Sequence, residues 1–123
     1  FKQDVRLELW LYQPLIYISV SALNFGLVFI KKTKVIEVTL LAPIGKEYFE
    51  ASIKSGRKSG AFSVNIKSGV LMPKVGLPIK VKFSPKICLL HRDMLVIRSC
   101  MSKFFWEIPL LGVGTFNYRA HMY

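Results

Sequence analysis

The sequence predicts an all-β fold, two antiparallel sheets of seven strands in total packed face to face, and three observations carry this. Ile79-Lys80-Val81-Lys82-Phe83-Ser84-Pro85, Leu95-Val96-Ile97 and Trp106-Glu107-Ile108-Pro109-Leu110-Leu111-Gly112 are strand-length apolar or alternating runs, each closed by a turn signal. β-Branched and aromatic residues dominate the apolar runs, and Gly or Pro interrupts every window longer than about a dozen residues, which disfavours helix. Apolar residues make up 52% and aromatics 13% of 123 residues, enough for one core and too short for a second domain.

The elements follow in order. Val5 to Leu11 alternates and is stopped by Pro14. Ile16 to Phe25 is extended and ends in Asn24-Phe25-Gly26, where Gly permits a kink that lets a first strand cross between sheets. Val35 to Leu40 places Ile36, Val38 and Leu40 on one face, and Pro43 and Gly45 turn the chain. Tyr48 to Lys54 groups Phe49, Ala51 and Ile53, followed by the polar loop Ser55-Gly56-Arg57-Lys58-Ser59-Gly60. Phe62, Val64 and Ile66 point inward on the next run, and a loop holding Gly69, Pro73, Gly76 and Pro78 leads to the strand with Ile79, Val81 and Phe83 inward. Leu95 and Ile97, then Trp106, Ile108 and Leu110, complete seven strands between Ile16 and Gly112, with Trp106 expected as a core anchor. Seven strands in about a hundred residues is the size of an immunoglobulin-like β-sandwich.

The wording of these runs is also specific. The stretch ending Phe83-Ser84-Pro85, the Leu95-Val96-Ile97 strand and the closing Trp106 to Gly112 segment resemble the ASH family (abnormal spindle and Hydin), a relative of major sperm protein and PapD-like immunoglobulin domains. Units of this family often begin with Pro, a short β run and Leu-x-Phe-Gly, matched by Pro14, Ile16-Tyr17-Ile18-Ser19 and Leu23-Asn24-Phe25-Gly26. The departure is Leu41-Ala42-Pro43-Ile44-Gly45, where such units carry an Asn-containing turn. The resemblance implies a domain over residues 14–112. It implies that residues 1–13 are the closing strand of a preceding unit or a linker, and that residues 113–123 lead toward a following unit. It further implies a non-catalytic structural or protein-interaction module in a ciliary, flagellar (axonemal) or centrosomal assembly of the cytoskeleton. Neighbouring immunoglobulin-like units of the same chain and microtubule or axonemal components with acidic surfaces are the implied partners. The major-sperm-protein relatives suggest an alternative, an adaptor that binds acidic peptide motifs at membranes.

Charge bears on the partner independently. Eighteen Lys and Arg against seven Asp and Glu give a net charge of +11, a field that attracts nucleic acid, anionic lipid or acidic protein tails. No nucleic-acid signature accompanies it, so no specific nucleic-acid partner is expected. Lys80 and Lys82 face away from the core, and with Lys31, Lys32, Lys34, Arg57 and Lys58 they are the candidate contacts to an acidic partner; the plain alternative is a solvated face.

The uncharged stretch Leu9 to Ile30, followed by Lys31-Lys32-Thr33-Lys34, is long enough to span a bilayer, which would make a single-pass membrane protein with a basic cytoplasmic domain. Gln13, Pro14, Ser19, Ser21, Asn24 and Gly26 weigh against it, since polar groups at mid-depth are costly. Cys88 and Cys100 flank the run Arg92 to Arg98, which as a strand holds them about 20 Å apart, so both are expected as free thiols. Free thiols and the absence of a glycosylation sequon favour a reducing, cytoplasmic compartment. Phe1 in place of Met marks a piece of something longer or a processed form. Cys88 and His91 have a Cys-x-x-His spacing that Cys100 and His121 would have to complete. A structural zinc site normally shows two paired motifs, so Cys88 reads as a buried small residue and His91 as a loop end. Neither a metal nor a cofactor is expected. Two His, seven scattered acids and no nucleophile or phosphate-loop motif leave no enzyme chemistry to assign.

Overall fold

The computed structural model describes residues 16–55, 60–100 and 104–116. Among them nine strands form: β1 Tyr17–Ile18, β2 Leu23–Phe29, β3 Lys34–Leu41, β4 Glu47–Ile53, β5 Phe62–Val64, β6 Ser68–Leu71, β7 Leu77–Phe83, β8 Leu90–Ser99 and β9 Phe105–Thr115. A four-stranded sheet in the order β1-β3-β7-β5 packs against a five-stranded sheet in the order β2-β9-β8-β4-β6. Every pairing is antiparallel except that of β2 with β9.

Alternation sets the register. Ile36 opposes Val81 and Val38 opposes Ile79 between β3 and β7. Leu95 opposes Ile108 between β8 and β9, and Ala51 opposes Ile97 between β4 and β8. A one-residue slip would turn each of these rows to solvent, so burial itself specifies the pairing. At the centre, the ring of Phe83 stacks on Phe62 at 4.7 Å and meets Phe25 at 5.6 Å. Phe83, Phe25 and Phe49 are fully buried, each contributing about 1.5–3 kcal/mol of transfer free energy.

Where the structure departs from the sequence reading, local reasons are visible. The stretch Ile16 to Phe25 is two strands: the Ser19 N–H donates to the Thr39 carbonyl and the Thr39 N–H to Ser19 Oγ, so the chain stays in the four-stranded sheet as far as Ser19. It joins β9 only from Leu23, which puts the crossing at residues 20–22 and not at Gly26. Gly26 serves a bulge instead, at φ 67°, with its N–H donating to Asn24 Oδ1 at 2.9 Å. The expected loop around Gly69 contains β6, and Gly69 lies under the Phe49 ring with room for no side chain but a tight one. β8 runs well beyond Leu95–Ile97. β9 continues to Thr115, so the expected boundary at 112 falls inside a strand.

Two further expectations change, while the membrane-span alternative, against which the scattered polar residues already weigh, is not seen among the described residues. Trp106 is half-buried against the core; Phe83 occupies the anchoring position. Cys88 is exposed, and His91 sits inside β8 with its ring edge-on to Phe83 at 5.5 Å. Residues 16–30 form β1, β2 and the turn after them, so the membrane-spanning helix from Leu9 to Ile30 does not form, and no helix among the described residues is long and apolar enough to cross a membrane. Both cysteines are free. The expected strand Val5 to Leu11 lies outside the described residues.

Candidate protein-interaction surfaces

The outer face of the four-stranded sheet carries Lys80 and Lys82 on β7, both exposed and two residues apart, which places them about 7 Å apart along the strand. Lys82 lies between Val35 on β3 and Ser63 on β5, neither of them charged. Lys80 faces Glu37 on β3. Its backbone is clamped on the other side by Asn65, whose Oδ1 accepts the Lys80 N–H at 2.7 Å and whose N–H donates to the Lys80 carbonyl at 3.1 Å. The pair therefore projects from a rigid strand.

The other sequence candidates are placed elsewhere. Lys31, at φ 70°, and Lys32 form the turn between β2 and β3, just past the Lys82 end of β7, where the Lys31 N–H donates to the Pro85 carbonyl. Lys34 turns inward to donate from Nζ to the Phe25 carbonyl at 3.1 Å, which occupies a backbone acceptor next to the Gly26 bulge. Arg57 and Lys58 lie outside the described residues. The five described cations thus do not share one face, and of these only Lys80 and Lys82 project from the same strand face.

Four of the acidic groups are committed to structure. The Asp93 carboxylate accepts from the Ser55 hydroxyl, from the Ser55 N–H at 3.1 Å and from the Met94 N–H at 2.8 Å, tying the start of the β4–β5 loop to β8. Glu107 pairs with Lys54 at 3.2 Å, a solvent-exposed bridge of the kind worth under about 1 kcal/mol. At the end of β8, Ser99 Oγ donates to Glu47 at 3.0 Å and the Cys100 thiol to Glu50 at 3.5 Å. Partial desolvation, that hydrogen bond, and the charges of Glu50 and Glu47 push the Cys100 thiol above its ordinary range, which lowers its thiolate fraction at neutral pH. No group of His, Cys, Asp and Glu among the described residues is arranged to hold a metal ion.

One surface escaped the strand pattern. Ile87, Leu89 and Leu90 are exposed in and beside the β7–β8 loop, next to exposed Leu27 and Phe29 on β2. The signal was present as the run Ile87-Cys88-Leu89-Leu90, four apolar residues outside any alternation.

No protein-family model and no curated protein matches the sequence. Solved structures do. The ASH/PapD-like domain 7 of human CEP192 superposes with a TM-score of 0.71 at 15% identity, over 83% of this chain and 86% of that one. The periplasmic chaperone SfaE matches with a TM-score of 0.65 at 8% identity, over 81% of this chain and 58% of the chaperone. WR4, a C. elegans MSP family member, matches with a TM-score of 0.54 at 8% identity, over 84% of this chain and all of that one. A family 123 glycoside hydrolase from Clostridium perfringens also matches, at 6% identity and over only 23% of its length. At these identities the likeness is one of fold, and one sandwich carries many functions. By its two-sheet architecture and these superpositions, the described domain has the immunoglobulin-like sandwich fold that ASH, MSP and PapD-like domains share.

Proposed function

We propose that this sandwich is a non-catalytic protein-interaction unit of a centrosomal, ciliary or flagellar assembly, and that Lys80 and Lys82 grip an acidic segment of its partner. The likeness of fold to a CEP192 domain over most of both chains supports the centrosomal part of this reading. The observation that carries the contact is the Lys80–Lys82 pair, projecting from a clamped strand with a single acid opposite. Neighbouring units, entered through residues 1–13 and left after Thr115, would fix the geometry of an array in which each sandwich is a spacer. Attraction to a flexible acidic tail is long-range and screened, so affinity for a glutamate-rich tubulin-tail peptide should fall steeply with salt. Fluorescence anisotropy with such a peptide tests the contact: Lys80→Glu with Lys82→Glu is expected to weaken binding about ten-fold without unfolding the domain. Binding that ignores both the reversal and salt would overturn it. A tagged chain expressed in ciliated cells tests the assembly, with uniform cytosolic signal as the refuting result.

A second reading, an adaptor of the major-sperm-protein type for acidic peptide motifs at membranes, draws on the WR4 likeness. It predicts the same peptide result but recruitment to organelle membranes in the same cells.

A further inference from the structure

The end of the sandwich opposite the β1 entry is built from residues 26–34, 84–92 and 111–116, which contain no Asp or Glu. The β7–β8 loop there is held rigidly. The Lys31 N–H donates to the Pro85 carbonyl, the Gly114 N–H to the Leu89 carbonyl, and the Leu89 N–H to the Ile87 carbonyl. A side chain at Gly114 would strike the Ile87 carbonyl oxygen and Pro85 Cβ, so the loop lies directly on β9. From this platform Ile87-Cys88-Leu89-Leu90 runs as four consecutive exposed residues, a pattern that soluble surfaces avoid unless it serves a function. Across the sheet, Leu27 on β2 and Leu90 on β8 flank Val113, and Leu27 is 74% exposed. Lys31, Lys32, Lys86 and Arg92, all exposed, are carried by the same segments of this end.

We propose that this end is a peripheral docking tip for anionic membrane. A bilayer surface asks for no shape match, only apolar side chains projecting beyond cations of a single sign. Apolar groups of interfacial elements enter the headgroup boundary by about 5–10 Å while Lys and Arg heads meet lipid phosphates. Charge complementarity selects this occupant over a second copy of the chain, whose own tip would repeat the same cations. The tip adjoins the Lys82 end of β7 but is built from other residues than the Lys80–Lys82 pair, and the proposal stands apart from the proposed function.

The native thiols give a test without substitution. Cys88 lies within the apolar run and Cys100 at the other end of β8, both exposed. Vesicles of phosphatidylcholine with about 30% phosphatidylserine should slow alkylation of Cys88 by a water-soluble reagent and leave Cys100 unchanged, whereas phosphatidylcholine alone should protect neither. In vesicle cosedimentation, Lys31→Glu with Lys32→Glu is expected to weaken binding roughly twenty-fold or more. Ile87→Asp with Leu89→Asp should abolish it with an unchanged melting curve, because the replaced side chains are exposed. Lys80→Glu with Lys82→Glu should leave it nearly intact. The proposal is overturned by wild-type protein that ignores anionic vesicles. Equal protection of both thiols, or vesicle binding that survives the Ile87 and Leu89 substitutions, would mean undirected attraction to net charge and would overturn it too. So would concentration-dependent self-association that those substitutions remove, which would assign the tip to a second copy.

Discussion

Adding one carbon at Gly112 should be among the most damaging small changes in this molecule. A Cβ built there falls 2.5 Å from Phe83 Cε2 and 2.8 Å from Cδ2 and Cζ, well inside contact distance. The backbone of Gly112 is not in the left-handed region, so the cost is one of space and not of conformation. Phe83 cannot withdraw: its ring is stacked on Phe62 at 4.7 Å, held by Phe25 at 5.6 Å and met edge-on by His91 at 5.5 Å, and it is fully buried. Overpacking a tight core costs about 1–3 kcal/mol, and a boxed-in ring puts Gly112→Ala near the upper end, about 3 kcal/mol. That is a large share of the 5–15 kcal/mol typical of a domain and corresponds to a fall of roughly 12–24 °C in Tm. Urea denaturation followed by intrinsic fluorescence should show a lower midpoint at constant slope. In the double variant Gly112→Ala with Phe83→Leu the clash is relieved, so its loss should be smaller than the sum of the single losses by about 0.5–3 kcal/mol. A wild-type midpoint for Gly112→Ala, or strictly additive losses, would refute the argument that the glycine exists to seat the ring.

Phe83→Ala should lose about 3–5 kcal/mol, and Trp106→Ala distinctly less, because Trp106 is half-buried; melts ranking them the other way would return the anchor to Trp106. Gly26→Ala should cost about 1–2 kcal/mol by urea titration, since residue 26 has φ 67° and open space around its Cα, so that strain and not collision sets the cost. Glu50→Gln should accelerate iodoacetamide alkylation of Cys100 near pH 8, because removing the carboxylate charge and its hydrogen bond lowers the raised thiol pKa and increases the thiolate fraction; an unchanged rate would disconnect Glu50 from that thiol.

The inward rows show how much of this protein is local. Ile36, Val38 and Leu40, then Phe49 and Ala51, Ile79, Val81 and Phe83, and Ile108 and Leu110 all face the core as their alternation predicts, because a strand with one buried face must repeat every second residue. Alternation also placed Lys80 and Lys82 outward. It failed on β8, where the inward positions His91 and Asp93 are polar and the outward positions Leu90 and Met94 apolar. That inversion is tolerable only because Phe83 and Ser55, distant in sequence, receive the ring and the carboxylate. It failed again at β6, whose Gly69 is a strand residue because the Phe49 ring needs the space. The sequence by itself therefore determined the sheet class, the faces of the regularly alternating strands and the sign of the charge, all consequences of periodicity and composition. Only the tertiary structure decided where the first strand changes sheets, why residues 112 and 114 must be glycine, and which cations share a surface. Each of those depends on a contact between residues that the chain separates and the fold brings together, and no period along the chain records such contacts.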